Sequence, residues 1–151
     1  MFLYLVRHGS TVPDEIDPDR PLSELGKAEA QKTAEILAQE KQVGLDRIIH
    51  SGKIRARQTA EIIAEMLEPS QGIMESDGLF PNDPPAVWGR RIQDIRDNVM
   101  LVGHLPFMPN LSSLLLANSG DDSHVEFQPA TALGLKRENK RWKKLWQVIP
   151  R

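Results

Sequence analysis

The stretch Phe2-Leu3-Tyr4-Leu5-Val6-Arg7-His8-Gly9 opens the chain and decides its fold. A short run of aliphatic and aromatic residues is typical of a buried strand, and Gly9 provides the turn that ends it. An arginine and a histidine therefore stand at the carboxyl end of this strand, the edge at which open α/β sheets bind ligands. A guanidinium group suits phosphate, and a neutral imidazole is a competent nucleophile. The stretch indicates phosphoryl transfer through His8.

Strand and helix signals alternate along the rest of the chain. Helices are predicted from the Ser23 cap to about Gln42, over 53–67, over about 85–96 and over 106–117. Further strands are predicted at 45–50, 98–103, 132–136 and 142–149, with 72–74 as a candidate short strand and 118–123 as a polar turn. The pattern predicts a single domain over residues 1–151, built as a three-layer α/β/α sandwich with a mostly parallel mixed sheet.

The composition excludes several classes of function. The formal net charge of -2 argues against a nucleic-acid binder that works through a broad basic field. The basic cluster from Lys136 to Lys144 is therefore interpreted as the solvated side of a terminal hairpin. Because the chain has no cysteine, disulfides, thiolate catalysis and thiolate metal sites are excluded. No apolar run approaches the roughly 18 residues of a membrane span, and no secretory leader is evident, so a cytoplasmic protein without membrane contact is expected.

Histidine and arginine also occur at or just after the ends of two further predicted strands. His50-Ser51-Gly52 precedes a helix that holds Arg55 near its start, and Gly103-His104 ends the central interior strand. If the strands are parallel neighbours, these groups meet at one edge, where two arginines and a histidine can stabilise a phosphoryl group in transfer without a metal. His8 has to attack as the neutral imidazole, with its other ring nitrogen held by a carbonyl near Gly9. A bound phosphate is expected to raise the pKa of His104.

Four segments together make the chain resemble the histidine phosphatase superfamily, with its phosphoglycerate mutase-like fold. Within it, the small SixA-type phosphohistidine phosphatases are the nearest in pattern. The segments are Leu5-Val6-Arg7-His8-Gly9, Arg20-Pro21-Leu22-Ser23 with Gly26, Ser51-Gly52-Lys53-Ile54-Arg55-Ala56-Arg57-Gln58-Thr59 and Val102-Gly103-His104-Leu105-Pro106. They occur in the family's order and at its approximate spacing, so the likeness covers nearly the whole chain.

The resemblance implies a role for each matching residue. His8 would be the nucleophile that becomes phosphorylated, and Arg7 and Arg55 would clamp the phosphoryl oxygens. His104 would donate to the same oxygens. Arg20 would reach the pocket from its loop, and Ser51 would either bind in the pocket or cap the following helix, of which the cap is favoured. No metal or cofactor is implied.

The departures from the family pattern bear on the substrate. Gly52 replaces the usual proline of the second motif, and Asp14 stands near a position at which mutases carry asparagine, so Asp14 is expected to point away. The general acid of the mutases has only unconvincing counterparts in Glu75, Asp77 and Asp83. A labile phosphoramidate needs little acid assistance, and a compact chain leaves the site open. The favoured substrate is therefore a phosphohistidine on a protein, such as a phosphotransfer domain.

Two alternatives stay open at this point. One is a phosphatase for small phosphate monoesters, which would need a working acid. The other is a catalytically silent, phosphate-binding regulatory module. The sequence leaves the oligomeric state undetermined.

The remaining conspicuous residues are interpreted as structural. His50 is expected to be a structural residue, His124 to be solvated, and Arg57 to form a surface ion pair. Trp142 and Trp146 share parity on the last strand, which predicts that both pack on one buried face.

Overall fold

Strands and helices alternate over residues 1–120 and 124–150, which a computed structural model of the protein describes. The elements in those ranges are β1 (Phe2–Arg7), α1 (Glu24–Gln39), β2 (Arg47–His50), α2 (Ile54–Leu67), β3 (Ile73–Glu75), α3 (Pro85–Gln93), β4 (Val99–Gly103), α4 (Phe107–Leu116), β5 (Ala132–Glu138) and β6 (Arg141–Val148). Helices α1 and α3 each end about three residues earlier than predicted. Residues 121–123 of the predicted polar turn lie outside the described residues.

One sheet has the strand order β3-β2-β4-β1-β5-β6. Strands β1 to β4 run parallel, whereas β5 and β6 are antiparallel additions at one side. Arg7 pairs with Gly103 and His50 pairs with Val102, so β1, β2 and β4 end at the same edge. The predicted α/β sandwich with a mostly parallel mixed sheet is confirmed.

The core has two apolar layers because successive strand residues face opposite sides of the sheet. Leu3 and Leu5 of β1 pack beneath α3 and α4, while Tyr4 and Val6 pack beneath α1 and α2. Strand β4 is buried along its whole length, as its uninterrupted apolar run predicts. The two apolar layers together hold the carboxyl ends of the parallel strands in place.

The prediction that Trp142 and Trp146 share one buried face is wrong. Gly134 pairs with Trp146 but Leu135 pairs with Lys144, so β6 carries an irregularity that adds one residue. An added residue reverses the alternation of side chains beyond it. Trp142 therefore joins the layer of α3 and α4, whereas Trp146 stacks on Tyr4 in the other layer, with ring centroids 5.8 Å apart.

Close backbone packing fixes the segment that follows His8. Ser23 caps α1 as predicted, because its Oγ accepts from the Gly26 N–H at 3.1 Å. A Cβ atom on Gly26 would overlap the Ser10 carbonyl oxygen, and one on Gly9 would lie 2.6 Å from the Gly26 oxygen. The first turn of α1 is thus pressed against the residues that follow the β1 strand end.

This packing predicts the effect of Gly26→Ala on stability. Helix propensity alone would favour alanine by about 0.5–1 kcal/mol. The clash with Ser10 outweighs this gain, so the free energy of unfolding should fall by about 1–3 kcal/mol. Gly44→Ala is the matched control, since a Cβ atom there meets nothing within 4 Å. Urea denaturation of both variants measures the difference. A Gly26→Ala protein as stable as the wild type would contradict the packing.

Candidate active site

Three parallel strand ends bring the predicted site residues to one edge of the sheet. His8 follows β1, Ser51 follows β2 and His104 follows β4. The backbone N–H of His8 donates to the Gly103 carbonyl at 3.0 Å. The rings of His8 and His104 consequently lie 5.2 Å apart between centroids and are tilted by 57°. Arg55 enters from the first turn of α2.

The ring of His8 is fixed by its neighbour in the sequence. Nδ1 lies 2.7 Å from the Gly9 carbonyl oxygen and donates its hydrogen to it. The Gly9 N–H in turn donates to Thr59 Oγ1 at 3.1 Å, and that hydroxyl donates to the Arg55 carbonyl at 2.8 Å. The sequence-based expectation of an acceptor near Gly9 is confirmed. In this tautomer Nε2 carries the free lone pair.

Burial keeps this imidazole uncharged. Desolvation, together with the charges of Arg55, Arg7 and Arg20, lowers the pKa of His8 to about 4, although the hydrogen bond to Gly9 acts in the opposite direction. Only 7% of the residue is exposed. At neutral pH the ring is therefore in the form that a nucleophile requires.

The arginines supply donors that the described part of the protein does not use. Nη1 of Arg7 donates to the Phe127 carbonyl at 2.9 Å, which anchors the guanidinium group. The Nε atoms of Arg7 and Arg55 are buried and have no hydrogen-bond partner among the described residues. Buried donors without a partner are costly unless a ligand accepts from them, and an oxyanion is the ligand that suits a guanidinium group.

Arg20 is exposed, and its charge acts on the groups of the same site. Its backbone has a φ of 51°, and its Nη2 donates to Thr11 Oγ1 at 3.1 Å. Its positive charge is among those that lower the pKa of His8 and of His104, after burial and closer charges. The charge of Arg20 therefore acts on both histidines, and its contact with the substrate stays a prediction.

Ser51 binds His104 rather than capping the helix. Its Oγ lies 2.7 Å from Nε2 of His104 in a buried contact. The N-cap of α2 is Lys53, two residues later, which makes no side-chain cap; its N–H donates to Ser51 Oγ at 3.3 Å. The favoured capping role for Ser51 is thus wrong.

His104 is also held in its neutral form. Burial, followed by the charges of His8 and Arg55, lowers its pKa to about 3. Its Nδ1 atom is buried without a partner among the described residues. The sequence-based expectation of a raised pKa depends on a bound phosphate, and the protein's own groups act against it.

The three candidate acids have different surroundings. Arg91 binds both carboxylate oxygens of Asp77, at 2.9 and 3.3 Å, and this contact lowers the pKa of Asp77. Asp83 accepts from the Phe80 N–H at 2.8 Å and is committed to a turn. The Glu75 carboxyl carbon would lie 2.7 Å from a Cβ atom on Gly52, so it occupies the space of a side chain at that position. Only Glu75 lies against the loop that carries Ser51.

The other polar residues near the site have structural or surface positions. His50 accepts the Gly52 N–H on its Nδ1 at 3.1 Å, so it shapes the loop. Arg57 forms the predicted ion pair with Glu61 at 3.5 Å, and Asp14 is exposed. Within residues 1–120 and 124–150, no three potential ligands among His, Asp and Glu are grouped to hold a metal ion. In the same ranges no helix has the length and apolarity to cross a membrane.

Comparison with models of known protein families identifies the family of this chain. The model of the histidine phosphatase superfamily (branch 1) matches residues 3–79. The chain belongs to the histidine phosphatase superfamily. No curated protein sequence matches it.

Several solved structures are similar over almost the whole chain. The protein histidine phosphatase SixA, complexed with tungstate, has a TM-score of 0.88 at 22% identity and covers 99% of this chain and 97% of its own. A candidate phosphohistidine phosphatase SixA from Agrobacterium tumefaciens has a TM-score of 0.78 at 26% identity, with the same coverage. Mycobacterial glucosyl-3-phosphoglycerate phosphatase has a TM-score of 0.68 at 19% identity, covering 96% of this chain and 98% of its own. These likenesses establish the fold.

The lowered pKa of His8 predicts how stability depends on pH. An unfolded histidine has a pKa near 6.5, whereas that of His8 in the folded chain is about 4. Between those values the unfolded chain binds a proton that the folded chain excludes, so stability falls as the pH drops from 6.5 toward 4, by at most about 1.4 kcal/mol per pH unit. His8→Asn removes this titration and should lose less stability than the wild type between pH 7 and pH 5 in chemical denaturation. Equal losses would mean that His8 is not held neutral by the fold.

Proposed function

We propose that this protein is a phosphatase that works through a phosphohistidine at His8, and that its substrate is a phosphohistidine on another protein, such as a phosphotransfer domain. The observation that carries the proposal is the hydrogen bond from Nδ1 of His8 to the Gly9 carbonyl. It leaves a neutral Nε2 beside Arg7 and Arg55, two cations with unused buried donors. A nucleophile and an oxyanion-binding pair are thereby in one place.

The reaction has two displacements. The lone pair on Nε2 of His8 forms a bond to phosphorus, and the bond from phosphorus to the substrate's imidazole nitrogen breaks. A leaving imidazole that is protonated on its other ring nitrogen departs as a neutral molecule. Water then forms the new phosphorus–oxygen bond, the bond to Nε2 breaks, and orthophosphate leaves with the protons of water shared between it and solvent.

The surrounding groups stabilise the phosphoryl group in transfer. Its charge spreads over three non-bridging oxygens, so positioning and electrostatics supply most of the catalysis. The Nε donors of Arg7 and Arg55 are two partners for these oxygens. With Ser51 on Nε2 of His104, Nδ1 is the ring nitrogen that remains for a third contact.

The acids and the rim of the site favour a protein phosphohistidine. Asp77 and Asp83 are committed to other contacts, and an imidazole leaving group needs no acid from the enzyme. Three apolar side chains near the site are exposed: Ile54 precedes Arg55 in sequence, Leu105 follows His104, and the centre of the Phe80 ring lies 4.8 Å from Nζ of Lys53, the N-cap of α2. Exposed apolar surface around a charged pocket is typical of a site that receives another protein.

A phosphatase for small phosphate esters is the second candidate, and Glu75 is the observation that favours it. Its carboxylate lies against Gly52, next to the loop of Ser51. An alkoxide leaving group needs a proton, which a carboxylic acid at this place could donate. A similar fold also occurs in a glucosyl-3-phosphoglycerate phosphatase.

Substitution of the nucleophile and of one arginine tests the proposed chemistry. His8→Asn should lower phosphate release from a phosphorylated phosphotransfer domain at least about 10³-fold. Arg55→Ala should lower kcat about 10²–10³-fold, because one transition-state donor is lost. Arg57→Ala, an exposed arginine on the same helix, is the matched control and should keep the wild-type rate. Full turnover by His8→Asn would refute the nucleophile, and no turnover by the wild type would favour the silent phosphate-binding module.

Glu75→Gln separates the two candidate substrates. If the substrate is phosphohistidine, kcat/KM for the phosphorylated phosphotransfer domain should stay within about twofold of the wild type, because the leaving ring needs no external acid. The comparison substrate is glycerol phosphate, whose alkoxide does need one. A wild-type preference for glycerol phosphate, together with a loss of about 10²-fold in Glu75→Gln, would establish the ester phosphatase instead.

A further inference from the structure

A groove of about 730 Å³ lies at the opposite end of the sheet from His8. It is bounded by α3, the C-terminal half of α4 and the turn between β5 and β6. Arg137, in its wall, donates its backbone N–H to the carbonyl of Met1, just before β1 begins, whereas His8 follows the end of β1. The proposed phosphatase mechanism does not use this groove.

Positive charge is concentrated in its lining. Arg90, Arg96, Arg137 and Lys140 all line the groove, and within the described part of the chain no carboxylate does. The nearby Glu138 is paired with Lys136 at 3.0 Å. Burial, followed by the charge of Arg96, lowers the pKa of Arg137, so two of the cations act on each other. Four cations that form no ion pair with the residues of 1–120 and 124–150 lie in one concave surface, which favours a ligand with several negative charges.

One of these cations is fixed over an aromatic ring. Arg137 donates from Nη1 to the Ile92 carbonyl at 2.9 Å and from Nη2 to the Ile95 carbonyl at 2.6 Å. These bonds hold its guanidinium carbon 5.6 Å from the centre of the Trp142 ring. Leu114, 47% exposed, adds apolar surface to the same groove. The walls therefore combine preorganised charge with an exposed apolar side chain.

We propose that the groove is a second ligand site, which binds a small polyanion with a flat apolar body, the class to which nucleoside polyphosphates belong. The phosphates would contact Arg90, Arg96 and Lys140, and the base would lie against the exposed side chain of Leu114. The volume falls within the roughly 300–1,000 Å³ of small-molecule sites. A concave surface built from three elements suits such a compact ligand.

Titration calorimetry with ATP tests the site. The chelator EDTA removes divalent ions, and saturating tungstate occupies the catalytic pocket. ATP should bind with tungstate present, and Arg96→Glu combined with Lys140→Glu should weaken binding at least about tenfold. The control pair is Lys32→Glu with Lys143→Glu, which changes the net charge equally at exposed positions outside the groove. Lys143 adjoins Trp142 in β6 but faces the other side of the sheet.

Inorganic triphosphate measures the contribution of the apolar wall. It carries the charge of ATP without the base, so it should bind at least about tenfold more weakly. The proposal is overturned by any of four results: no binding at millimolar ATP, displacement of ATP by tungstate, equal weakening in both double variants, or equal affinity for triphosphate and ATP. Phosphatase turnover of the Arg96→Glu/Lys140→Glu protein is recorded separately, so that failure of this site and failure of the proposed catalytic function are distinguished.

Discussion

The site depends on one hydrogen bond, from Nδ1 of His8 to the carbonyl of Gly9. The bond selects the tautomer and sets the direction of Nε2. The backbone that carries this carbonyl is itself held by contacts, because the Gly9 N–H donates to Thr59 of α2 and Gly9 packs on Gly26 of α1. Two helices on one side of the sheet and the end of β1 thus converge on a single imidazole ring. Much of the local fold serves to hold that ring still.

The burial of the His8 ring also determines its protonation state. A buried imidazole beside several guanidinium groups stays neutral, since burial and repulsion act in the same direction. Those guanidinium groups are also what an incoming dianion requires. A carboxylate beside His8 would oppose both effects. Of the three candidate acids, Asp77 is paired with Arg91 and Asp83 is committed to a turn, which leaves Glu75 against Gly52. We infer that a site with several cations and one available carboxylate suits leaving groups that depart without help, as the proposed phosphohistidine substrate would.

The meeting of His8 and His104 could be predicted from sequence, because each follows a short apolar run and parallel strands end at one edge. The direction of Ser51 could not, since the N-cap of α2 is Lys53, two residues after Ser51. The position of Trp146 depends on an irregularity in β6, and its one sequence signal is Gly134 on the paired strand, where a Cβ atom would lie 2.6 Å from the Trp146 ring. The contact between Gly52 and Glu75 and the basic groove both arise from tertiary packing between elements that are distant in sequence.

Nitrogen NMR of the His8 ring, with its resonances assigned through the His8→Asn variant, tests the central claim most directly. We expect the neutral tautomer with hydrogen on Nδ1 at pH 7, persisting until the pH approaches about 4. Hydrogen on Nε2, or an imidazolium ring at pH 6, would contradict the account, because neither leaves a lone pair on Nε2 to attack phosphorus.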